Sequence, residues 1–74
     1  MIENCSTPDL WKTENKDEAI KFAKEESLIH TSEPYFVIFD SNENIYYIEK
    51  DACPFIRVSF EKIIAKFQEG REYV

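Results

Sequence analysis

The feature that most constrains the fold is a pair of short apolar runs separated by five polar residues. Residues 35–39 are five consecutive β-formers that directly follow Pro34, and residues 45–48 make a second such run. Between them, residues 40–44 are Asp, Ser, Asn and Glu, which are typical of turns. Apolar runs of this length, bounded by turn residues, indicate strands. The two runs therefore predict a β-hairpin with a four- or five-residue loop.

A helix is predicted over residues 16–29, ahead of the hairpin. Asn15 is a good N-cap, and Glu18 is placed to return a bond to the backbone N–H of the cap. Acidic residues in the first turn also favour the helix dipole. At 100° per residue, one broad apolar face is expected to pack on a flat surface. Its members are Ala19, Ile20, Phe22, Ala23 and Ile29.

A second helix is predicted after the hairpin. Four apolar residues follow the i, i+3, i+4, i+7 spacing of a core-facing helical stripe. Ser59 can cap this helix, and Gly70, the only glycine, lies where a left-handed residue often ends a helix. The four apolar residues are Phe60, Ile63, Ile64 and Phe67.

These elements predict a small α+β domain in two layers, with an antiparallel sheet built around the central hairpin and both helices on one face. Residues 10–13, 55–58 and 71–74 are candidates for further short strands, which gives the order (β)-α-β-β-(β)-α-(β). If the first and last strands form, the order becomes β-α-β-β-α-β, which is ferredoxin-like. Residues 1–8 are expected to be a flexible tail and residues 9–74 a single domain.

The charge of the chain restricts its partners. Fifteen acidic and nine basic residues give a net charge of −6, whereas a duplex-binding protein needs a concentrated positive field. Direct binding to nucleic acid or to an anionic membrane surface is therefore not expected. A basic protein partner remains possible. The chain has no apolar run long enough for a membrane span, and its first residues contain an acid and no apolar stretch, so a cytoplasmic location is expected.

Residues that carry chemistry are sparse. His30 is the single histidine, and Cys5 and Cys53 stand alone, without the spacing of a metal site or of a catalytic pair. Asp40 opens a stretch that resembles a calcium loop, but Ile45 occupies the position that needs glycine. We therefore expect no catalytic site, no metal and no cofactor, and the chain is predicted not to be an enzyme.

The apolar load of the hairpin is larger than two helices can cover. Side chains of a strand alternate between faces, so both faces of this hairpin are apolar, whereas an antiparallel sheet with one wet face should alternate apolar and polar residues. Tyrosine suits such interfaces because its ring is apolar and its hydroxyl is polar. The predicted contact residues are Tyr35, Phe36, Ile38, Tyr46, Tyr47 and Ile48.

Two functions follow as hypotheses. In the first, the chain is a small acidic, non-enzymatic protein-interaction domain that forms a homodimer through an aromatic sheet face or a strand edge. In the second, it is an acidic inhibitor or immunity-type protein that blocks a basic nucleic-acid-binding protein. The second requires carboxylates gathered on one face, whereas lysines alternate with acids along the chain.

Overall fold

The computed structural model describes residues 2–5, 9–50 and 61–73, which form one helix and six strands. The helix α1 spans Lys16–Ile29; two strands precede it and four follow it. The strands are β1 (Glu3–Asn4), β2 (Leu10–Thr13), β3 (Tyr35–Asp40), β4 (Ile45–Lys50), β5 (Glu61–Gln68) and β6 (Arg71–Tyr73).

All six strands belong to one antiparallel sheet with the order β1-β2-β4-β3-β5-β6. The predicted hairpin of β3 and β4 lies at its centre, with Tyr35 opposite Lys50 and Asp40 opposite Ile45. A four-residue loop joins the two strands. In it, the Asp40 carboxylate accepts hydrogen bonds from the N–H groups of Asn42 and Glu43. The predicted hairpin is confirmed, with the turn chemistry supplied by a local side chain.

The predicted helix is also confirmed, from Lys16 to Ile29. The Asn15 side chain accepts a hydrogen bond from the Glu18 N–H at 2.9 Å, as an N-cap does. The predicted return bond from Glu18 to the cap is absent, because Thr13 occupies both groups. The Thr13 hydroxyl accepts the Asn15 N–H and donates to Glu18 at 2.8 Å. The end of β2 therefore fixes the start of α1.

The main core lies between α1 and one face of the sheet. Ala19 and Ala23 are fully buried, and their small size lets the helix approach the strands closely. Ser27 continues this stripe, whereas Ile29, which was predicted to face the core, is 68% exposed. The buried strand residues of this core are Tyr35, Val37, Ile48, Ala65 and Phe67.

The predicted second helix is wrong, and the two-helix, ferredoxin-like arrangement is wrong with it. Residues 61–68 form β5, which pairs with β3 from Glu61 to Phe67. Val37 lies opposite Ala65 and Ile38 opposite Ile63, so β5 has one extra residue in a bulge at Ile64, where the alternation of its side chains changes phase. This shift places Ile64 and Phe67 against the same core, three residues apart as in a helix. The bulge thus mimics helical periodicity.

Gly70 has the predicted left-handed backbone, with φ of +75°, but it serves a hairpin and not a helix end. Glu69, with φ of +56°, and Gly70 are the two central residues of the turn between β5 and β6. A two-residue hairpin turn with both φ values positive matches the twist of the flanking strands. The Gly70 N–H donates to the Ser27 hydroxyl at 3.0 Å, which ties this turn to α1.

The remaining expectations concern the ends of the chain. The candidate strands at residues 10–13 and 71–74 are found as β2 and β6. Within the segment predicted as a tail, Glu3 and Asn4 pair with β2. The candidate strand at residues 55–58, the predicted cap Ser59 and Cys53 lie outside the described residues. Nowhere in the described part of the chain is there a helix with the length and apolarity that crossing a bilayer requires.

Candidate interaction surface

Most of the contact residues predicted from the sequence lie inside the chain. Tyr35 and Ile48 face α1 and are fully buried. Phe36 and Ile38 lie on the opposite face of the sheet and are also buried, with 7% and 1% of their surface exposed. Apart from the small exposed part of Phe36, these four side chains offer a partner no surface in this structure.

Tyr46 and Tyr47 are the two predicted contact residues that keep some exposure. Tyr46 is on the helix side, where its ring lies 4.9 Å from that of Phe39. Tyr47 is on the helix-free side, and its hydroxyl donates to a Glu43 carboxylate oxygen at 3.4 Å. Burial, and then the negative charges of Glu43 and Asp40, raise the pKa of the Tyr47 hydroxyl. Tyr47 is therefore a neutral, half-buried ring at neutral pH.

Tyr35 has a structural role at the end of the sheet near the last turn of α1. Its ring packs 6.2 Å from Trp11 and 6.4 Å from His30. The hydroxyl is buried without a hydrogen-bond partner. Burial, followed by the negative charges of Glu26 and Asp9, raises the pKa of this hydroxyl above its ordinary value of 10.0. Tyr35 stabilises the aromatic part of the core and presents nothing to solvent.

Part of the outer edge of β5 has no partner strand in the part of the chain that the structure describes. Its inner edge pairs with β3 from Glu61 to Phe67. On the outer edge, the described partner is β6, which pairs only with Lys66, Phe67 and Gln68. Among the described strands, none pairs with the outer edge over residues 61–65. Backbone N–H and C=O groups on such an edge can pair with an added strand.

A shallow groove of about 300 Å³ runs beside this open edge. Two aromatic residues line it, Phe36, which is 7% exposed, and Tyr73, which is 48% exposed. The Lys66 ammonium lies between these two rings, 5.7 Å from the Phe36 ring centre and 5.9 Å from that of Tyr73. The remaining lining residues are Ile63, Ile64 and Ala65. The groove is therefore apolar, with one cation held by two aromatic rings.

Lys66 has no carboxylate partner among the described residues, which sets it apart from Lys50. The Lys50 ammonium lies 2.9 Å from a Glu33 carboxylate oxygen and 4.0 Å from one of Asp9. Glu61, at the start of β5, is likewise without an ion pair in the described part of the chain. On the helix-free face, β5 thus has two charges without an ion pair among the described residues, Glu61 at one end and Lys66 at the other, while Lys62 faces the helix side.

Other candidate sites do not assemble. His30 is at the C-terminal end of α1 with its ring beside Tyr35. Cys5 is a free, half-buried thiol. In residues 2–5, 9–50 and 61–73, no three His, Cys, Asp or Glu side chains are arranged to hold a metal. A cleft of about 350 Å³ at the other border of the sheet contains Glu3, Lys12 and Glu14, and Glu3 lies opposite Lys12.

The residues of the open edge were missed by the sequence analysis because they were assigned to a helix. Ile63 and Ile64 were counted as core positions of that helix. A run of two β-branched residues next to a hairpin was the available signal for a strand. Without knowledge of the bulge, this signal was weaker than the helical spacing.

The geometry defines a class of protein: a small antiparallel sheet covered by one helix, with an open strand edge beside an aromatic groove. No particular family can be added to this class. Comparison of the chain with protein-family models, with curated proteins and with solved structures finds no significant match.

Proposed function

We propose that the chain is a small acidic, non-enzymatic protein-interaction domain that self-associates by adding a strand to the open edge of β5. The observation that carries this proposal is that the outer edge of β5 over residues 61–65 has no partner strand among the described residues. Strand addition supplies main-chain hydrogen bonds for affinity, and neighbouring side-chain pockets supply specificity. The groove beside β5 is such a pocket.

The side chains at this edge differ from those of a shielded border. Edge strands of monomeric proteins are usually very short, charged or covered. β1 and β6 fit this description, with two and three exposed residues. β5 has eight residues, and Ile63 and Ile64 lie half-buried in its open part. Lys62 is the one fully exposed residue of the strand, so the edge is only partly protected.

Other features support the non-enzymatic part of the proposal. The His30 ring lies beside the Tyr35 ring, and no side-chain hydrogen bond within the described residues orients it. Among the described residues, the groove beside β5 contains one cation and no acid or nucleophile other than the Tyr73 hydroxyl. A cytoplasmic location is also part of the proposal, because a reducing compartment suits the free thiol of Cys5.

The test is the oligomeric state of the chain as its concentration rises. Edge contacts of this size are small, so we expect weak dimerisation that sedimentation velocity detects between about 10 µM and about 1 mM. Ile63→Lys introduces a charge at the open edge and is expected to raise the dissociation constant at least about tenfold. Ile29→Lys, at an exposed isoleucine on α1, is the matched control and should leave it unchanged.

Circular dichroism melting of both variants shows whether the fold persists, so that a loss of dimer can be separated from a loss of structure. A chain that stays monomeric to about 1 mM contradicts self-association. Equal weakening by the two lysine substitutions would place the contact elsewhere.

A further inference from the structure

The open edge of β5 has features of both shape and charge that define what can occupy it. A strand added there brings alternate side chains over the helix-free face, where the groove lies. The groove is apolar beside Ile63 and cationic at Lys66. The matching occupant is an extended segment with an acid two residues away from an apolar side chain, since these share one face of a strand.

Such a segment is present in β5 itself. Glu61 lies opposite Asp40 and Ile63 lies opposite Ile38, so both project onto the helix-free face. Glu61 has no ion pair among the described residues, and neither has Lys66. The edge is therefore complementary to a second copy of itself.

We infer that two copies of the chain pair through β5 in antiparallel orientation about a two-fold axis at Ile63, and that Glu61 of each copy pairs with Lys66 of the other. This inference rests on the proposed self-association and adds its register. A two-fold contact must be self-complementary, because each residue that contacts another is contacted by its equivalent. Glu61 and Lys66 meet this condition, and the arrangement contains the pair twice.

The register of the proposed pairing follows from which residues on the outer edge of β5 have no partner strand among the described residues. β6 occupies the outer edge from Lys66 onward, so the added strand can use residues 61–65. Only the pairing of Ile63 with its own equivalent uses all five of these residues in both copies. At Ile64 the alternation of side chains along β5 shifts by one residue. This shift brings Glu61 of the second copy towards Lys66 on the helix-free face. The product is one continuous sheet with both helices on the same side.

Charge exchange tests this register. Glu61→Lys and Lys66→Glu each replace two attractions by two repulsions and should raise the dissociation constant about 3- to 10-fold. An equimolar mixture of the two variants restores both ion pairs in a heterodimer, so its affinity should return close to that of the unmodified chain. The matched controls are Glu72→Lys on β6 and Lys21→Glu on α1, which make the same charge changes on exposed residues outside the paired residues 61–65.

A disulfide provides an independent measurement. In a C5S/C53S background, I63C should form an intermolecular disulfide under mild oxidation, because opposed residues of antiparallel strands lie about 4.5–5.5 Å apart. I29C in the same background should not cross-link at the same concentration.

The outcomes separate the inference from the proposal on which it rests. A dimer that is unaffected by both charge reversals, with no rescue on mixing and no I63C cross-link, overturns the register while self-association stands. Equal effects of the control reversals show that net charge acts, and not the Glu61–Lys66 pair, which also overturns the register. A monomer at every concentration removes the proposed function itself.

Discussion

The hairpin of β3 and β4 lies between other strands on both sides, whereas the hairpin of β5 and β6 forms a border of the sheet. In the central hairpin, every residue of β3 has a partner strand on each side. In the border hairpin, β6 is the one described strand that pairs with the outer edge of β5, and it does so only at Lys66, Phe67 and Gln68. The comparison indicates that the centre of the sheet contributes most of the stability, whereas its border contains the surface proposed for self-association.

The largest difference between the two hairpins is expected in core packing. Ile48 on β4 is fully buried between Val37 and Trp11, so Ile48→Ala should lower the free energy of unfolding by about 3 kcal/mol. Ile63 on β5 is only half-buried, and Ile63→Ala should cost about 1 kcal/mol. Urea denaturation measures both.

Because a chain of this size has little stability to lose, Ile48→Val serves as the milder variant, with an expected cost of about 1 kcal/mol. Equal losses in the free energy of unfolding for Ile48→Ala and Ile63→Ala would contradict the proposed difference between the two hairpins. Equal costs would mean that Ile63 is as deeply packed as the centre of the sheet.

The parts of the fold that could be predicted from the sequence are those with local signals. The central hairpin has two β-forming runs around a polar turn, and the Asp40 carboxylate accepts hydrogen bonds from N–H groups two and three residues on. The N-cap of α1 is also local, since the Asn15 side chain accepts a hydrogen bond from the N–H three residues on. Each of these elements is determined by residues close together in the chain.

The border hairpin depends on contacts that no local pattern contains. Ile63 and Ile64 are strand residues because β5 pairs with an edge of β3. The bulge at Ile64 interrupts the alternation of side chains that would have indicated a strand. The burial of Phe36 and Ile38 was likewise missed, because it depends on how the whole chain covers the helix-free face. The open edge was therefore outside the reach of sequence reasoning, although a strand edge in general was proposed.

The turn of the border hairpin is the next point of difference, because it alone depends on glycine. Gly70→Ala should lower the free energy of unfolding by about 1–2 kcal/mol, since a Cβ is disfavoured at its φ of +75°. The new Cβ would also clash with the Leu28 Cδ2 atom. Leu28 is 57% exposed and can move away, so the backbone accounts for most of the cost.

Thermal unfolding of Gly70→Ala alone and combined with Leu28→Ala separates these two causes. If the backbone dominates, the second substitution recovers little of the lost stability. Full recovery in the double variant would instead assign the cost to the contact with Leu28, and no cost in the single variant would mean that the turn tolerates another conformation.

The smallest expected effect comes from exchanging residues between the two turns. Both turns contain a residue with a left-handed backbone, Asn44 with φ of 58° in the central hairpin and Glu69 with φ of 56° in the border hairpin. Asparagine adopts this conformation more readily than glutamate, and Asn-Gly is the preferred pair for a two-residue turn. Glu69→Asn should therefore raise the free energy of unfolding by about 0.5–1 kcal/mol.

The reciprocal variant Asn44→Glu should lower the free energy of unfolding by a similar amount, about 0.5–1 kcal/mol. Urea denaturation of the two variants tests whether one backbone requirement accounts for both turns. Both positions are exposed, so lost packing adds little to either value. A destabilising Glu69→Asn would show that the glutamate makes a contribution beyond its backbone, and the two turns would then differ in more than their sequence.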